Sequence, residues 1–495
     1  MKEFIRIDKR DNVMVALKDL ESAYILEDEG LTMELLEDVG PGHKIATRDI
    51  KKGEDIIKYG YPIGRATENI LKGQWVHTHN TKTNLEGTIE YKYNPNFDKI
   101  AKKEGPSKFM GYRRANGDVG IRNEIVIVPT VGCINGIAEM MTKTFANQIE
   151  ADDVDDIHLY KHNYGCSQLG DDLENTRNIL IDIVKHPNVG GALVIGLGCE
   201  NNIIEEFIDH MGDFDKSRIK FLKTQTVGDE IEEGVKLLNE IYETIKDDTR
   251  EEVPISELKI GLKCGGSDGF SGITANPLLG ELSDYLISRG GTTILTEVPE
   301  MFGAETILMD RAESKEVFED IVSLINNFKE YFIRHDQPIY ENPSPGNKEG
   351  GITTLEDKSL GCTQKGGKST VVDVLAYGEP VKKNGLNLLD SPGNDLVSST
   401  ALGASGCHMV LFSTGRGTPF GSFVPTVKVS TNTPLFNLKP HWIDFNAGVI
   451  LEDVTMDELL DEFLNYIIEV ASGKLTNNEK NGFKEMAIFK TGVTL

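Results

Sequence analysis

The chain has 495 residues, 39% of them hydrophobic and 26% charged, with a formal net charge of −27 at pH 7. That acidic balance argues against nucleic acid as a partner, because such binding depends on clustered Lys and Arg. No apolar stretch is long enough to span a membrane, and the length calls for two to four domains with ample core. Met1 to Arg6 lacks the apolar core of a signal peptide. Six cysteines in so long a chain fit reduced thiols rather than a disulfide framework, so the expected location is the cytoplasm.

Residues 1–82 read as a small β-rich module. Asp11 to Leu17, His43 to Ala46, Asp55 to Lys58 and Pro62 to Gly64 are short strands punctuated by glycine and charge. The module ends in Val76-His77-Thr78-His79-Asn80, where histidines at i, i+2 on a strand would point the same way. Residues 83–108 are polar, broken by Asn94-Pro95 and Gly105-Pro106, and read as a linker. Between 109 and 250, strand runs (Glu124 to Thr130, Ile157 to Tyr160, Gly191 to Gly196) alternate with helical patterns. The helices are Ile137 to Gln148, Asp171 to Val184, Ile203 to His210 and Gly228 to Ile245. The final segment, 251–495, adds strands at Leu258 to Leu262, Thr292 to Thr296 and His408 to Phe412. Its helices are Lys315 to Arg334, N-capped by Ser314, and Met456 to Ala471. Strand–helix alternation predicts an α/β protein: a small β-rich domain followed by two α/β domains with mainly parallel sheets.

Lys263-Cys264-Gly265-Gly266-Ser267-Asp268-Gly269-Phe270-Ser271-Gly272 follows a buried-strand run, where an open α/β sheet collects its ligands. Four glycines let the backbone approach a small polar ligand, and Cys264, Ser267 and Asp268 are placed to do chemistry. All six cysteines (133, 166, 199, 264, 362 and 407) adjoin a glycine, most where an apolar run gives way to a polar loop. Core cysteines usually sit inside apolar runs, so this placement suggests loops converging on a site.

Two nucleotide signatures fail. Gly366-Gly367-Lys368-Ser369 lacks the properly spaced first glycine of a P-loop, and Asn201 stands where the third glycine of a dinucleotide fingerprint belongs. No nucleotide cofactor is expected. Cysteine, histidine and carboxylate together suit Fe(II) or Mn(II), with Cys166, Cys199, Glu297 and Glu300 as candidate ligands. An iron–sulfur cluster among Cys166, Cys199, Cys264, Cys362 and Cys407 is a minor option. Arg113, Arg114, Arg122, Lys365, Lys368 and Arg416 are the cations assigned to a substrate carboxylate.

Several long stretches match one family. They are Trp75 to Asn80, Gly111 to Arg114, Gly120 to Asn123, His162 to Gln168, Gly196 to Asn201, Lys263 to Pro277, Thr296 to Glu300, Asn342 to Lys368 and Ser413 to Pro419. Through these, along nearly its whole length, the chain resembles the altronate/galactarate dehydratases. The resemblance implies an N-terminal SAF-type (β-clip) domain joined to a two-part catalytic region. It also implies Fe(II)- or Mn(II)-assisted dehydration of a sugar acid to a 2-keto-3-deoxy acid. A homo-oligomer, a dimer, is expected. The fused small domain favours the altronate branch, giving 2-keto-3-deoxy-gluconate. Galactarate dehydration is the close alternative, and a sulfolactate sulfo-lyase or a sugar-acid-binding protein without turnover are further ones. His77, His79, Cys264 and Asp268 are the catalytic candidates. Asn80, Arg114, Arg122, Asn123, Gln168, Ser267, Lys365, Lys368 and Arg416 are the substrate-binding ones. The N-terminal domain is expected to close over the catalytic site.

Overall fold

The computed structural model describes residues 3–28, 31–97, 100, 102–149, 154–452 and 454–492. Residues 3–82 form short antiparallel strands: Phe4–Ile5, Val13–Ala16, Lys44–Ala46 and Trp75–Val76 pair in one sheet, and Asp55–Lys58, Tyr61–Ala66 and Thr81–Lys82 in another. Trp75–Val76 ends before the histidines, so His77 and His79 lie in a turn rather than on a strand. Asn80 makes that turn: its Oδ1 accepts from the His77 N–H at 3.0 Å, while its Nδ2 donates to the Trp75 carbonyl. A side chain that bonds its own nearby backbone competes with the strand ladder.

In the middle region β1 (Glu124–Pro129), β2 (Asp156–Leu159), β3 (Val189–Gly196) and β4 (Ile219–Lys223) form a wholly parallel sheet in the order β2-β1-β3-β4. β1 is buried at every position, as expected for a strand covered on both faces. Helices Asn135–Ala146 and Glu230–Ile245 cover one face, and α1 (Asp171–Lys185) the other.

The C-terminal region holds a seven-stranded parallel sheet. Its strands are β5 (Lys259–Cys264), β6 (Thr292–Leu295), β7 (Val371–Leu375), β8 (Gly385–Leu389), β9 (Met409–Thr414), β10 (Thr426–Ser430) and β11 (Phe445–Asn446), in the order β7-β8-β6-β5-β9-β10-β11. The order reverses at β5, which places the crevice of a doubly wound sheet between the loops after β5 and β9. α2 (Leu355–Cys362) and α3 (Asp395–Ala404) flank this sheet, and α3 shares a core with α1, so the two parallel-sheet regions are packed together.

The linker expected at 83–108 is strapped down: Leu85, Tyr91 and Tyr93 pack on the C-terminal core, and Tyr93 donates to the Ala312 carbonyl at 3.0 Å. Its last residue, Lys108, opens a strand (Lys108–Arg113) that pairs with Glu251–Pro254. The Pro/Gly stretch at 342–351 contains a helical turn, Pro345–Glu349, capped by Ser344. The core of the N-terminal domain continues into α2 through Leu360, and into Ala304. No helix among the described residues is long and apolar enough to cross a membrane.

Candidate active site

β5 and β6 deliver their polar residues to one buried spot at their carboxyl ends. Glu297, just past β6, is fully buried and held at φ 68°, a left-handed conformation that is costly for a residue with a side chain and is concentrated at functional sites. Its carboxylate accepts from Lys263 Nζ at 2.7 Å, Lys365 Nζ at 2.9 Å and the Cys264 N–H at 3.0 Å. Lys365 also donates to Cys264 Sγ at 2.9 Å. Cys264 Sγ lies 3.4 Å from Cys362 Sγ, and Glu300 Oε2 stands 3.3 Å and 3.2 Å from the two sulfurs. Lys358 closes the group with an ion pair to Glu300 at 2.7 Å. Burial alone would raise the Glu300 carboxyl, but the ammoniums of Lys358, Lys365 and Lys263 bring it down to about 2. The hydrogen bond to Cys264, then burial, push the Cys362 thiol well up.

α2 explains how Lys358 and Cys362 arrive there. Thr354 caps it, accepting from the Asp357 N–H at 3.2 Å. All eight of its residues are buried, so its charged side chains must find partners inside. Asp357 finds two on the N-terminal domain: Lys44 Nζ at 2.8 Å and Lys58 Nζ at 3.0 Å. Although burial disfavours the anion, those two ammoniums hold Asp357 well below the usual carboxylate range. Burial lowers Lys44 to about 8, with Asp357 opposing the shift, and raises the neighbouring Tyr59 hydroxyl to about 12.

The N-terminal domain is seated by backbone contact as well. A Cβ on Gly269 would stand 2.1 Å from the Gly42 carbonyl oxygen, and one on Gly351 2.3 Å from it, so three glycines are required where the loops meet. Lys44 donates to the Gly351 carbonyl at 2.7 Å. Trp75 Nε1 donates to His43 Nδ1 at 3.1 Å, which leaves the proton on His43 Nε2 to donate to the Glu349 carbonyl at 3.2 Å. The His77 ring is stacked on Trp75, and its Nδ1 is 2.9 Å from Thr353 Oγ1. Burial, reinforced by the Lys44 charge, lowers His77 to about 3, so its imidazole is neutral at ordinary pH.

Two cavities border this junction. A small one of about 10 Å³, the size of a single water, is lined by Lys58, Tyr59, Ser267, Lys358 and Cys362, among others. Ser267 Oγ is buried there with no hydrogen-bond partner among the described residues, an unmet need that a ligand hydroxyl would satisfy. The second, about 730 Å³, is lined by Lys18, Phe270, Gly350, Arg416 and Asn432, among others. Asp268 borders both. Burial raises its carboxyl against hydrogen bonds from Thr431, Ser271 and Asn432, which fill its acceptor positions and tie the 265–272 loop to the loop after β10.

The structure therefore brings together Cys264, Glu297, Glu300 and Lys365, with Ser267 and Asp268 beside them, while His77 lies further off, bonded to Thr353, whose N–H donates to Asp357. His79 is exposed and packs on Trp75, and Asn80 is buried within the turn it forms. Arg416 reaches the larger cavity, paired with Glu349 at 2.9 Å. The other candidates lie elsewhere. Arg122 is gripped by Glu479 at 2.7 Å and 3.0 Å, Arg114 by Asp248 and Asn123, and the side chain of Lys368 is exposed. Gln168 folds its own loop, accepting from the Gly165 N–H at 2.8 Å, and Cys166 and Cys199 are exposed on the middle region. Lys44, Lys58, Asp357 and Lys358 escaped sequence reasoning. Their signal was a lysine at the end of each of two short strands and the charges of Leu355–Cys362, a short helix whose residues are all buried.

Among the described residues, Cys264, Glu300 and Cys362 are the group whose donor atoms lie within single-ion reach of one another. Two sulfurs and a carboxylate suit a borderline ion such as Fe(II), so the donor set fits the metal that the resemblance implies. Cys362 would have to shed its proton to join.

Three family models cover the chain: the altronate/galactarate dehydratase SAF domain (residues 2–84), the D-galactarate dehydratase/altronate hydrolase second domain (111–246) and the D-galactarate/altronate dehydratase C-terminal domain (255–494). The altronate dehydratase of Bacillus subtilis (strain 168) is 61% identical, and that of Escherichia coli (strain K12) 56%, each over the whole of both chains. The galactarate dehydratase (L-threo-forming) of Escherichia coli (strain K12) is 32% identical over 95% of this chain and 93% of its own.

Proposed function

The chain belongs to the D-galactarate/altronate dehydratase family, and from that premise we propose that it dehydrates D-altronate to 2-keto-3-deoxy-D-gluconate. The observation that carries the substrate is full-length identity of 61% and 56% to two altronate dehydratases, against 32% to a galactarate dehydratase. The chemistry belongs at the junction between the N-terminal domain and the carboxyl ends of β5 and β6.

The reaction removes the C2 proton and the C3 hydroxyl, which leave together as one water, and the resulting enol tautomerises to the ketone. A proton beside a carboxylate is weakly acidic, so the enediolate must be stabilised as it forms. Fixed cations in a water-poor site do this best. Lys58 and Lys358, both facing the small cavity, are assigned to the substrate carboxylate and the enediolate. His77, on the N-terminal domain and bonded to Thr353, is the assigned base for the C2 proton. Ser267 Oγ is assigned to a substrate hydroxyl. Substrate enters through the larger cavity past Asp268 and Arg416, and the contact between Gly42, Gly269 and Gly351 gives way to admit it. A divalent iron or manganese held by Cys264, Glu300 and Cys362 would supply Lewis acidity to the departing hydroxyl. A cytoplasmic location goes with this reading.

The test offers D-altronate and galactarate side by side to anaerobic protein with added Fe(II), and measures 2-keto-3-deoxy acid. Strong preference for D-altronate is expected. Preference for galactarate would move the protein to the sister activity, and no product from either would overturn the substrate class.

A further inference from the structure

The middle region has its own sheet edge and its own cysteines, which the dehydration site does not use. β1 is flanked by β2 on one side and β3 on the other, so the strand order reverses there too, and the crevice opens between the loops after β1 and β3. Each of the three adjacent strands is followed by a Gly-Cys pair: Gly132-Cys133 after β1, Gly165-Cys166 after β2 and Gly198-Cys199 after β3. All three thiols are free and exposed, whereas Cys264, Cys362 and Cys407 are buried elsewhere.

The three loops are locked to one another. The Gly132 N–H donates to the Tyr164 carbonyl at 3.0 Å, and the Asn201 and Asn202 N–H groups both donate to the Gly165 carbonyl at 3.1 Å. The Ser167 N–H donates to Asn201 Oδ1 at 2.8 Å. A Cβ on Gly165 would stand 2.0 Å from the Thr130 carbonyl oxygen, so that glycine is required for the loops to meet. Ser167, next to Cys166, is held at φ 55°, a strained conformation of the kind found at ligand clamps. Gln225 Nε2 points at Cys199 Sγ from 3.7 Å, as a donor to a metal-bound sulfur would.

We propose that Cys133, Cys166 and Cys199 hold a [4Fe–4S] cluster at this edge, with one iron left without a cysteine ligand. Three exposed thiols fixed on interlocked loops at one sheet edge suit an occupant that spans the loops. Two ferrous ions, two ferric ions, four sulfides and three thiolates assemble the cluster, releasing three thiol protons and transferring no electron. The open iron takes an oxygen ligand, either water or a hydroxy acid.

The experiment is anaerobic reconstitution of the full chain with ferrous and ferric iron and sulfide, followed by desalting. Iron, labile sulfide and visible absorbance are then measured, and alkylation of each cysteine is read by mass spectrometry. About four irons and four sulfides per chain are expected, with Cys133, Cys166 and Cys199 shielded from alkylation at least tenfold relative to the untreated protein. C133S, C166S and C199S should each lose the stable cluster, while C362S keeps it. Less than one sulfide per chain, or a cluster lost in C362S and kept in C166S, would overturn the proposal. Dehydration with Fe(II) alone is scored separately, so this site can fail while the proposed function stands.

Discussion

Two carboxyl edges of parallel sheet can be compared within this one chain. Both lie where the strand order reverses, and both carry glycine-flanked cysteines. At the C-terminal edge the N-terminal domain is seated on the loops, and the site holds Lys44, Lys58, Lys263, Lys358 and Lys365 against Asp357, Glu297 and Glu300, all nearly excluded from solvent. At the middle edge the thiols are exposed among the described residues. The topological address is the same; what lies over it decides the chemistry. A sealed site makes each charge count for more and requires every charge to be paired. An open site leaves its sulfurs accessible.

The comparison breaks most readily at Asp357. Asp357→Asn leaves Lys44 and Lys58 buried without their shared anion, and losing one partner of such a network costs about 3–5 kcal/mol. Chemical denaturation should show that loss together with abolished turnover, whereas Cys166→Ser at the open edge should leave stability nearly unchanged. Lys358→Met should cost stability as well, because it leaves the buried Glu300 without its ion pair, so its effect on the chemistry is read on folded protein. If its ammonium stabilises the enediolate, kcat falls by about 10²–10³, and an unchanged kcat would remove Lys358 from the account. The smallest expected effect concerns pH. Lys44, lowered to about 8, loses its charge as pH rises through that value, which weakens its bond to Asp357. Activity should therefore decline on the alkaline side near pH 8 in the native enzyme. In Lys44→Arg, which stays charged, the decline should move to higher pH.

Strand–helix alternation located both parallel sheets, because buried strands and amphipathic helices differ in period. Asp171–Lys185, Glu230–Ile245, Lys315–Arg334 and Met456–Ala471 lie within two residues of where the pattern puts them. The stretch from Lys263 to Gly272 was legible as a site because glycines and polar residues follow a buried strand. The lysines were not. Lys44 and Lys58 sit on short strands of another domain, and only the tertiary fold reveals that both meet Asp357, about three hundred residues away along the chain. Arg122 illustrates the opposite error: beside a strand it reads as a carboxylate clamp, yet Glu479 and three carbonyls consume its donors. The histidine pair was misplaced on a strand because a local bond from Asn80, three residues beyond His77, turns the chain there.

The central claim is that the N-terminal domain supplies part of the dehydration site, and His77→Asn tests it most directly. Steady-state turnover of D-altronate by this variant should show kcat lower by about 10²–10⁴, with KM and thermal stability close to the native values. An unchanged kcat in a stably folded variant would contradict the account and return the base to the C-terminal loops.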